Sequence, residues 1–374
     1  MASEETIHQG TKKMYEDENR EYVPDPDETP VQNRRLVTQP YDIVISSLLD
    51  QIDDGTLHLR PISDRPSFQR RYVWSSKLAS RLIESILLNV PIPPCYLAQN
   101  EDYELDVIDG QQRIYSIYRF VNNQFRLSTL EVLKDHNGSR FFELPEQLQR
   151  KFWTYTLRCV IITNDSHPEI RFDVFERLNT NTTPLNAQEL RNSVYRGSLI
   201  NLLVNLAEYE PWLEILKRKQ PDKRMRDEEL ILRFFAFEVQ GLKSYRTPQK
   251  HWLNDAAKAG QRYIPDRVLE LETLWKSTID KCLTVFEPGE CFRRLPVKGR
   301  STVVNRALMD LTMSSLAQVS DTKIQSVASE FYQRYVDVIQ DDEFADLITR
   351  AIDHKSRTLR RFEIWRKKVT QGLL

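Results

Sequence analysis

Apolar and polar positions alternate at Tyr103, Glu104, Leu105, Asp106 and Val107, the period of a half-buried strand. A few residues later the spacing changes. Ile114, Ile117, Tyr118 and Val121 recur at helical intervals. Between the two patterns lie Asp109, Gly110, Gln111, Gln112 and Arg113, so the chain predicts a strand-to-helix turn made of five polar residues. Upstream, order is expected to begin near Tyr41, where Ile43, Val44, Ile45, Leu48, Leu49 and Ile52 give a helix-like stripe, and residues 57–59 predict a short strand. Leu78, Leu82, Ile83, Ile86 and Leu87 predict the core stripe of a helix starting at Ser75 or Ser76. Pro91, Pro93 and Pro94 stiffen a turn into a strand at residues 95–98, which pairs with the Tyr103 strand as a hairpin.

Downstream, residues 146–153 predict a helix and residues 157–162, rich in β-branched types, a strand that completes a small mixed sheet. Residues 169–178 predict a helix, residues 179–183 a polar loop, and Asn186 with Glu189 a capping box opening the next helix. From Leu199 onward helical spacing dominates, over residues 199–206, 211–216, 228–239, 264–286, 303–319, 322–338 and 343–354. Leu230, Phe234 and Phe237 lie on one stripe and are expected in its core. The expected fold class is α+β: a small mixed sheet with flanking helices, followed by a mostly α-helical C-terminal region.

Composition narrows this further. At 374 residues and 40% apolar the chain can hold two cores. Residues 1–36 read as a disordered polar arm, with nine acids against five bases up to Arg35. Residues 37–197 then form the sheet domain and residues 198–374 the helical one. A net charge of −1 supplies no general attraction to nucleic acid, so any DNA contact must come from a local patch. Three such patches exist: residues 217–226, residues 293–300, and residues 355–368 with Phe362 and Trp365 interleaved. Each is more readily a solvated helix face, as most charge runs are. Cys95, Cys159, Cys282 and Cys291 are widely spaced, which fits a reducing cytosol, and no apolar run reaches bilayer length. A cytoplasmic protein with no membrane partner is the expectation.

The turn carries the candidate chemistry. The first amides of a helix lack intrahelical acceptors and, with the helix dipole, attract anions, phosphate above all. Gly110 permits close approach of a ligand or of backbone. Arg113 offers a planar fork for phosphate oxygens. Asp109 can hold Mg²⁺ or orient a water, and Gln111 and Gln112 can donate and accept. A second reading needs no ligand, because Asp109 and Gln112 have the spacing of a capping box.

Asp109-Gly110-Gln111-Gln112-Arg113 after a strand resembles the signature of the GmrSD N-terminal-domain family. Two further segments match. Pro66-Ser67-Phe68-Gln69-Arg70-Arg71-Tyr72-Val73-Trp74 resembles the family's Pro-x-Tyr-Gln-Arg-x-Tyr-x-Trp element, with Phe68 in place of the usual Tyr. Phe175-Glu176-Arg177-Leu178-Asn179-Thr180, with Pro184 to Arg191, resembles its Phe-x-Arg-Leu-Asn…Leu-Asn-x-Gln-Glu-Leu-Arg element. The resemblance implies a fold of ParB/sulfiredoxin-like type, nucleotide bound at the turn, and membership of a bacterial restriction or phage-defence system. It also implies that Arg177 and Asn179 close over the same pocket.

The expected site therefore has Asp109, Gln111, Gln112 and Arg113 as catalytic residues, with Gly110, Arg113, Arg177 and Asn179 on the nucleotide. Gln69, Arg70, Tyr72 and Trp74 are expected to sense DNA or its bases, unless the two rings simply pack. The histidines show no metal-ligand spacing and no Walker-type loop is present, so the chain reads as a nucleotide-handling half that works with a separate nuclease or other defence-system subunit. Three functions remain open at this point: a nucleoside-triphosphate hydrolase using Mg²⁺, a non-enzymatic ParB-like DNA-binding scaffold, and a metal-dependent DNA nickase using the same acidic turn.

Overall fold

The computed structural model describes residues 25, 35–59, 72, 74–178, 186–294 and 303–374. Apart from Asp25, Arg35 and Leu36, the expected N-terminal arm lies outside these residues. The chain divides into two compact units, one spanning Val31–Val194 and the other containing Tyr195–Leu374.

The first unit is built on a five-stranded mixed sheet. Its elements run β1 (Thr38–Val44), α1 (Ile45–Asp53), β2 (Leu57–His58), α2 (Ser76–Leu87), β3 (Cys95–Gln99), β4 (Leu105–Asp109) and α3 (Gln111–Val121). After two short 3₁₀ turns come α4 (Glu146–Trp153), β5 (Thr156–Ile162), α5 (Pro168–Leu178) and α6 (Ala187–Val194). The strand order is β1-β5-β3-β4-β2, with β5/β3 and β4/β2 parallel and the other two pairs antiparallel. β3 and β4 thus lie inside the sheet, which puts the end of β4 at a protected position.

Three local expectations change. The stripe from Ile43 to Ile52 is two elements, because residues 38–44 pair along β5 and only Ile45 onward is helical. Leu78 is 49% exposed although it continues the stripe of α2, so that helix buries Leu82, Ile83, Ile86 and Leu87 without it. β4 begins at Leu105, and Tyr103 sits at the hairpin tip, exposed and with φ of 62°. Its remaining residues from Leu105 to Ile108 are all buried, Asp106 included, since the strand is covered on both faces.

That double cover follows from the pleat. Leu105 and Val107 share a core with Ile114 of α3, Leu48 of α1 and Leu157, Cys159 and Ile161 of β5. Asp106 and Ile108 face the opposite way, and α5 and α6 pack against β4. Behind α1 and α3, an aromatic cluster of Phe120, Phe125, Phe141 and Phe152 joins them to α2 and α4. Glu84 of α2 ties down the long connection after α3, accepting from the amides of Glu131, Val132 and Leu133. Burial works to raise its pKa, and the three amides outweigh it, so the carboxyl sits below its ordinary range.

The second unit is helical among its described residues: α7 (Ser198–Ala207), α8 (Glu210–Leu216), α9 (Arg226–Gln240), α10 (Gln249–Ala259), α11 (Pro265–Val285), α12 (Arg306–Ala317), α13 (Asp321–Ile339), α14 (Asp342–Leu347) and α15 (Lys355–Trp365). Leu230, Phe234 and Phe237 are core, as their spacing predicts. α10 and α15 were not legible as helices. No described helix is long and apolar enough to cross a membrane.

The basic runs look different in three dimensions. In residues 355–368, Arg357 pairs with Asp346, Arg360 with Glu343 and Glu363, and Lys368 with Asp341. Arg361 and Trp365 are buried, and Phe362 packs on Phe237. This segment is a packed helix whose aromatic residues face the bundle. Arg293 is also buried, donating to the carbonyls of Ile215, Pro288 and Cys291. In residues 217–226, Arg218 and Arg226 both bind Asp222, which itself is 2% exposed.

Beside Asp222 lies Asp227, fully buried and accepting from the amides of Asp222 and Glu228. Burial pushes its carboxyl up to about 6 from 3.8, with the Asp222 charge adding to the rise. The folded state therefore keeps this proton between about pH 4 and pH 6 while the unfolded chain has released it, so stability falls as pH rises through that window. Asp222 is shifted the other way, down, so its contribution is lost only as pH falls below the ordinary carboxylate range. We expect Asp227→Asn to remove roughly 2–3 kcal/mol of the loss between pH 4 and pH 6, read by urea unfolding of both proteins at several pH values. Parallel wild-type and variant curves over that window would refute it.

Candidate functional site

α3 starts at Gly110, which adopts φ 96° and ψ 4°, the left-handed region, and supplies no side-chain cap. The capping-box reading of Asp109 and Gln112 is thereby corrected. Asp109 is the last residue of β4, one position too early to be the N-cap, and it is committed elsewhere. A methyl group on Gly110 would lie 2.4 Å from Cys95 Sγ and 3.0 Å from Cys95 Cβ. What approaches Gly110 is thus the β3 side chain of Cys95, and two demands coincide there: a positive φ and no room for a Cβ.

Asp109 Oδ2 accepts from Arg113 Nη2 at 2.7 Å, one helical turn on. Arg113 Nη1 reaches back to the carbonyls of Pro93 and Pro94, the latter at 3.3 Å. The guanidinium therefore ties the start of α3 to the chain leading into β3. Its side chain is only 13% exposed, against 32% for that of Asp109. This modifies the expectation of a freely offered fork: the guanidinium is a structural clamp, and the carboxylate is the outer member of the pair. Asp109 Oδ1 accepts no hydrogen bond among the described residues and is the oxygen left for other work. The proline run predicts a stiff turn, and its carbonyls are what Arg113 binds.

Gln111 and Gln112 are partly exposed on the first turn of α3. The Gln112 carbonyl accepts from Ser116 Oγ at 2.6 Å, and Ser116 Oγ also meets the Tyr72 hydroxyl at 2.9 Å. Tyr72 lies edge-on to Tyr115 at 5.3 Å, and the Arg119 guanidinium covers its ring at 4.4 Å. Tyr72 and Trp74 are partly buried against the aromatic core. Both rings pack there, and through Ser116 the Tyr72 of the upstream motif is brought onto α3. Gln69 and Arg70 lie outside the described residues.

The third motif approaches from the other face of β4. Asn186 and Glu189 form the expected capping box, each side chain accepting from the other's amide at 2.9 and 2.8 Å. Gln188 and Arg191 are buried, bonded to each other at 3.1 Å, with Arg191 5.8 Å from the ring of Phe172. Only their place in the motif marks these two in the sequence; as buried polar groups on a helix that packs on β4 they support the strand that carries Asp109. Arg177, in the last turn of α5, is exposed. Asn179 lies outside the described residues, so its closure over the turn has no description.

No group of three or more His, Cys, Asp or Glu side chains that could hold a metal ion comes together among the described residues. A Mg²⁺ ion carried on phosphates would need only one or two protein carboxylates, and Asp109, partly exposed and with one oxygen unbonded among the described residues, fits that requirement. Cys95 and Cys159, paired in register across β3 and β5, are fully buried free thiols. The hydrogen bond between them lowers the Cys95 thiol and raises that of Cys159, and both are sealed from solvent behind the turn.

A family model described as the GmrSD restriction endonuclease N-terminal domain matches residues 45–196. No curated protein and no solved structure matches the chain.

Proposed function

Because residues 45–196 carry a GmrSD N-terminal domain, we propose that the chain is the nucleotide-binding and nucleotide-hydrolysing component of a restriction or phage-defence system. One observation carries this: a helix begins at an uncapped left-handed glycine, beside an ion pair whose carboxylate is partly exposed and has one oxygen without a hydrogen bond among the described residues. The turn amides and the side chains of Gln111 and Gln112 bind the phosphates of a nucleoside triphosphate. Asp109 Oδ1 orients the attacking water; Mg²⁺, if bound, would be held by the same carboxylate and would supply neutralisation of the phosphate charge. Water then attacks the terminal phosphorus, the bond to the bridging oxygen breaks, and the diphosphate and inorganic phosphate leave.

Arg113 acts from behind, fixing Asp109 and lowering the cost of gathering negative charge at the turn. Arg177 and Asn179 close the pocket. Gln69 and Arg70 contact DNA, and a separate nuclease subunit does the cutting.

The test is phosphate release from each nucleoside triphosphate, with and without DNA, using wild type, Asp109→Asn and Arg113→Lys. We expect Asp109→Asn to lower turnover at least 100-fold while binding persists, in the range of lost transition-state positioning. Arg113→Lys keeps the charge and loses the fork, so turnover should fall by roughly tenfold. Undiminished phosphate release in Asp109→Asn would overturn the catalytic assignment. Absence of any nucleotide binding by the wild type would overturn the proposal as a whole.

A further inference from the structure

Tyr115 is a residue that neither the core nor the ion pair accounts for. It lies four positions after Gln111 on α3, on the same helical face and roughly 6 Å along the axis. Helical side chains lean toward the N-terminus, so its ring covers the turn that carries Gln111 and Gln112. Its neighbours Ile114, Ser116 and Ile117 are buried, whereas Tyr115 stays partly exposed. Its hydroxyl makes no hydrogen bond among the described residues.

The ring is nonetheless held. Tyr72 meets it at 5.3 Å with planes 65° apart, and Tyr118 lies parallel to it, 9° off, at 6.4 Å. Both flanking rings are anchored: Tyr72 through Ser116 and Arg119, and Tyr118 by packing against the aromatic core. An aromatic ring ordered by its neighbours, partly exposed, and one turn beyond the proposed phosphate-binding turn has what a nucleobase requires. Stacking on it costs little side-chain entropy, and the stack tolerates any base because every base has a π-face.

We propose that Tyr115 is the platform on which the base of the bound nucleotide stacks, a specificity role that rests on the nucleotide-binding reading of the Gly110 turn. The ribose then spans the face of α3 between Gln111 and Tyr115. The stack discriminates nucleotide from bare polyphosphate without selecting one base over another.

Binding of each nucleoside triphosphate and of inorganic tripolyphosphate, both with Mg²⁺, is to be measured calorimetrically for wild type, Tyr115→Phe and Tyr115→Ala. We expect wild type and Tyr115→Phe to prefer nucleotide over tripolyphosphate. Tyr115→Ala should lose about tenfold in nucleotide affinity, within the range of one base–aromatic stack, with tripolyphosphate affinity unchanged. Unchanged nucleotide affinity in Tyr115→Ala would overturn the platform, as would equal losses for both ligands, which mark a structural role. If wild type binds the two ligands equally, the turn keeps its phosphate role and the base platform is wrong. If wild type binds neither, the nucleotide reading of the turn fails, and the platform with it.

Discussion

Gly110→Ala is expected to destabilise the sheet unit by on the order of 3 kcal/mol and to abolish ligand binding at the turn. Two costs add there. A left-handed conformation costs a residue with a Cβ about 1–2 kcal/mol, and overpacking a filled site costs about 1–3 kcal/mol. The clash has a named partner, Cys95 Sγ at 2.4 Å, with Cys95 Cβ behind it at 3.0 Å. Cys95→Ala in the same chain removes the sulfur and leaves the Cβ and the strained φ, so the double variant should recover part of the loss, by about 1 kcal/mol or more beyond additivity. Thermal unfolding of the two single variants and the double variant checks this. A Gly110→Ala protein within 0.5 kcal/mol of wild type would show that the turn tolerates a side chain and that its geometry is not constrained as described.

The second large effect lies in the helical unit. Arg233 and Asp310 form a two-point ion pair, Nε to Oδ1 at 3.1 Å and Nη2 to Oδ2 at 2.5 Å, with Arg233 fully buried and Asp310 2% exposed. Arg361, also fully buried, lies 3.8 Å from the same Asp310 oxygen, and Asp353 approaches Arg233 at 3.6 Å. Asp310→Asn therefore strips the main counter-charge from two guanidiniums that water cannot reach. Removing one partner of such a pair typically costs about 3–5 kcal/mol, because the remaining charge stays buried. Arg233→Met with Asp310→Leu should cost clearly less than the sum of the single changes, since an apolar pair of similar volume leaves less uncompensated charge. The unit contains the buried Trp212, Trp252, Trp275 and Trp365, so its unfolding in urea can be followed by their fluorescence. Additive losses in the double variant would mean that the two side chains act independently.

Between them these variants separate the two units. Gly110→Ala acts at the turn proposed to bind nucleotide, and Asp310→Asn acts on a network of buried charge that the family match, ending at residue 196, does not cover.

Periodicity by itself determined the class of fold and the place of the turn. The change from alternation to helical spacing around Asp109 is a local property, since a strand and a helix bury one face each with different repeats. The capping box at Asn186 and Glu189 was legible for the same reason: both partners lie within four residues. Only the tertiary structure decided which neighbour each polar side chain met. Residue types near Asp109 were compatible with a cap, a phosphate clamp or an ion pair. The choice fell to the ion pair because Pro93 and Pro94, twenty residues upstream, present carbonyls that hold Arg113 against the strand. In the same way the basic run ending at Lys368 looked like a solvent-facing patch until Asp341, Glu343 and Asp346, brought up by a neighbouring helix, took up its charges. Sequence spacing specifies which face of an element is apolar; long-range packing alone brings an opposite charge or an acceptor within bonding distance of the other face.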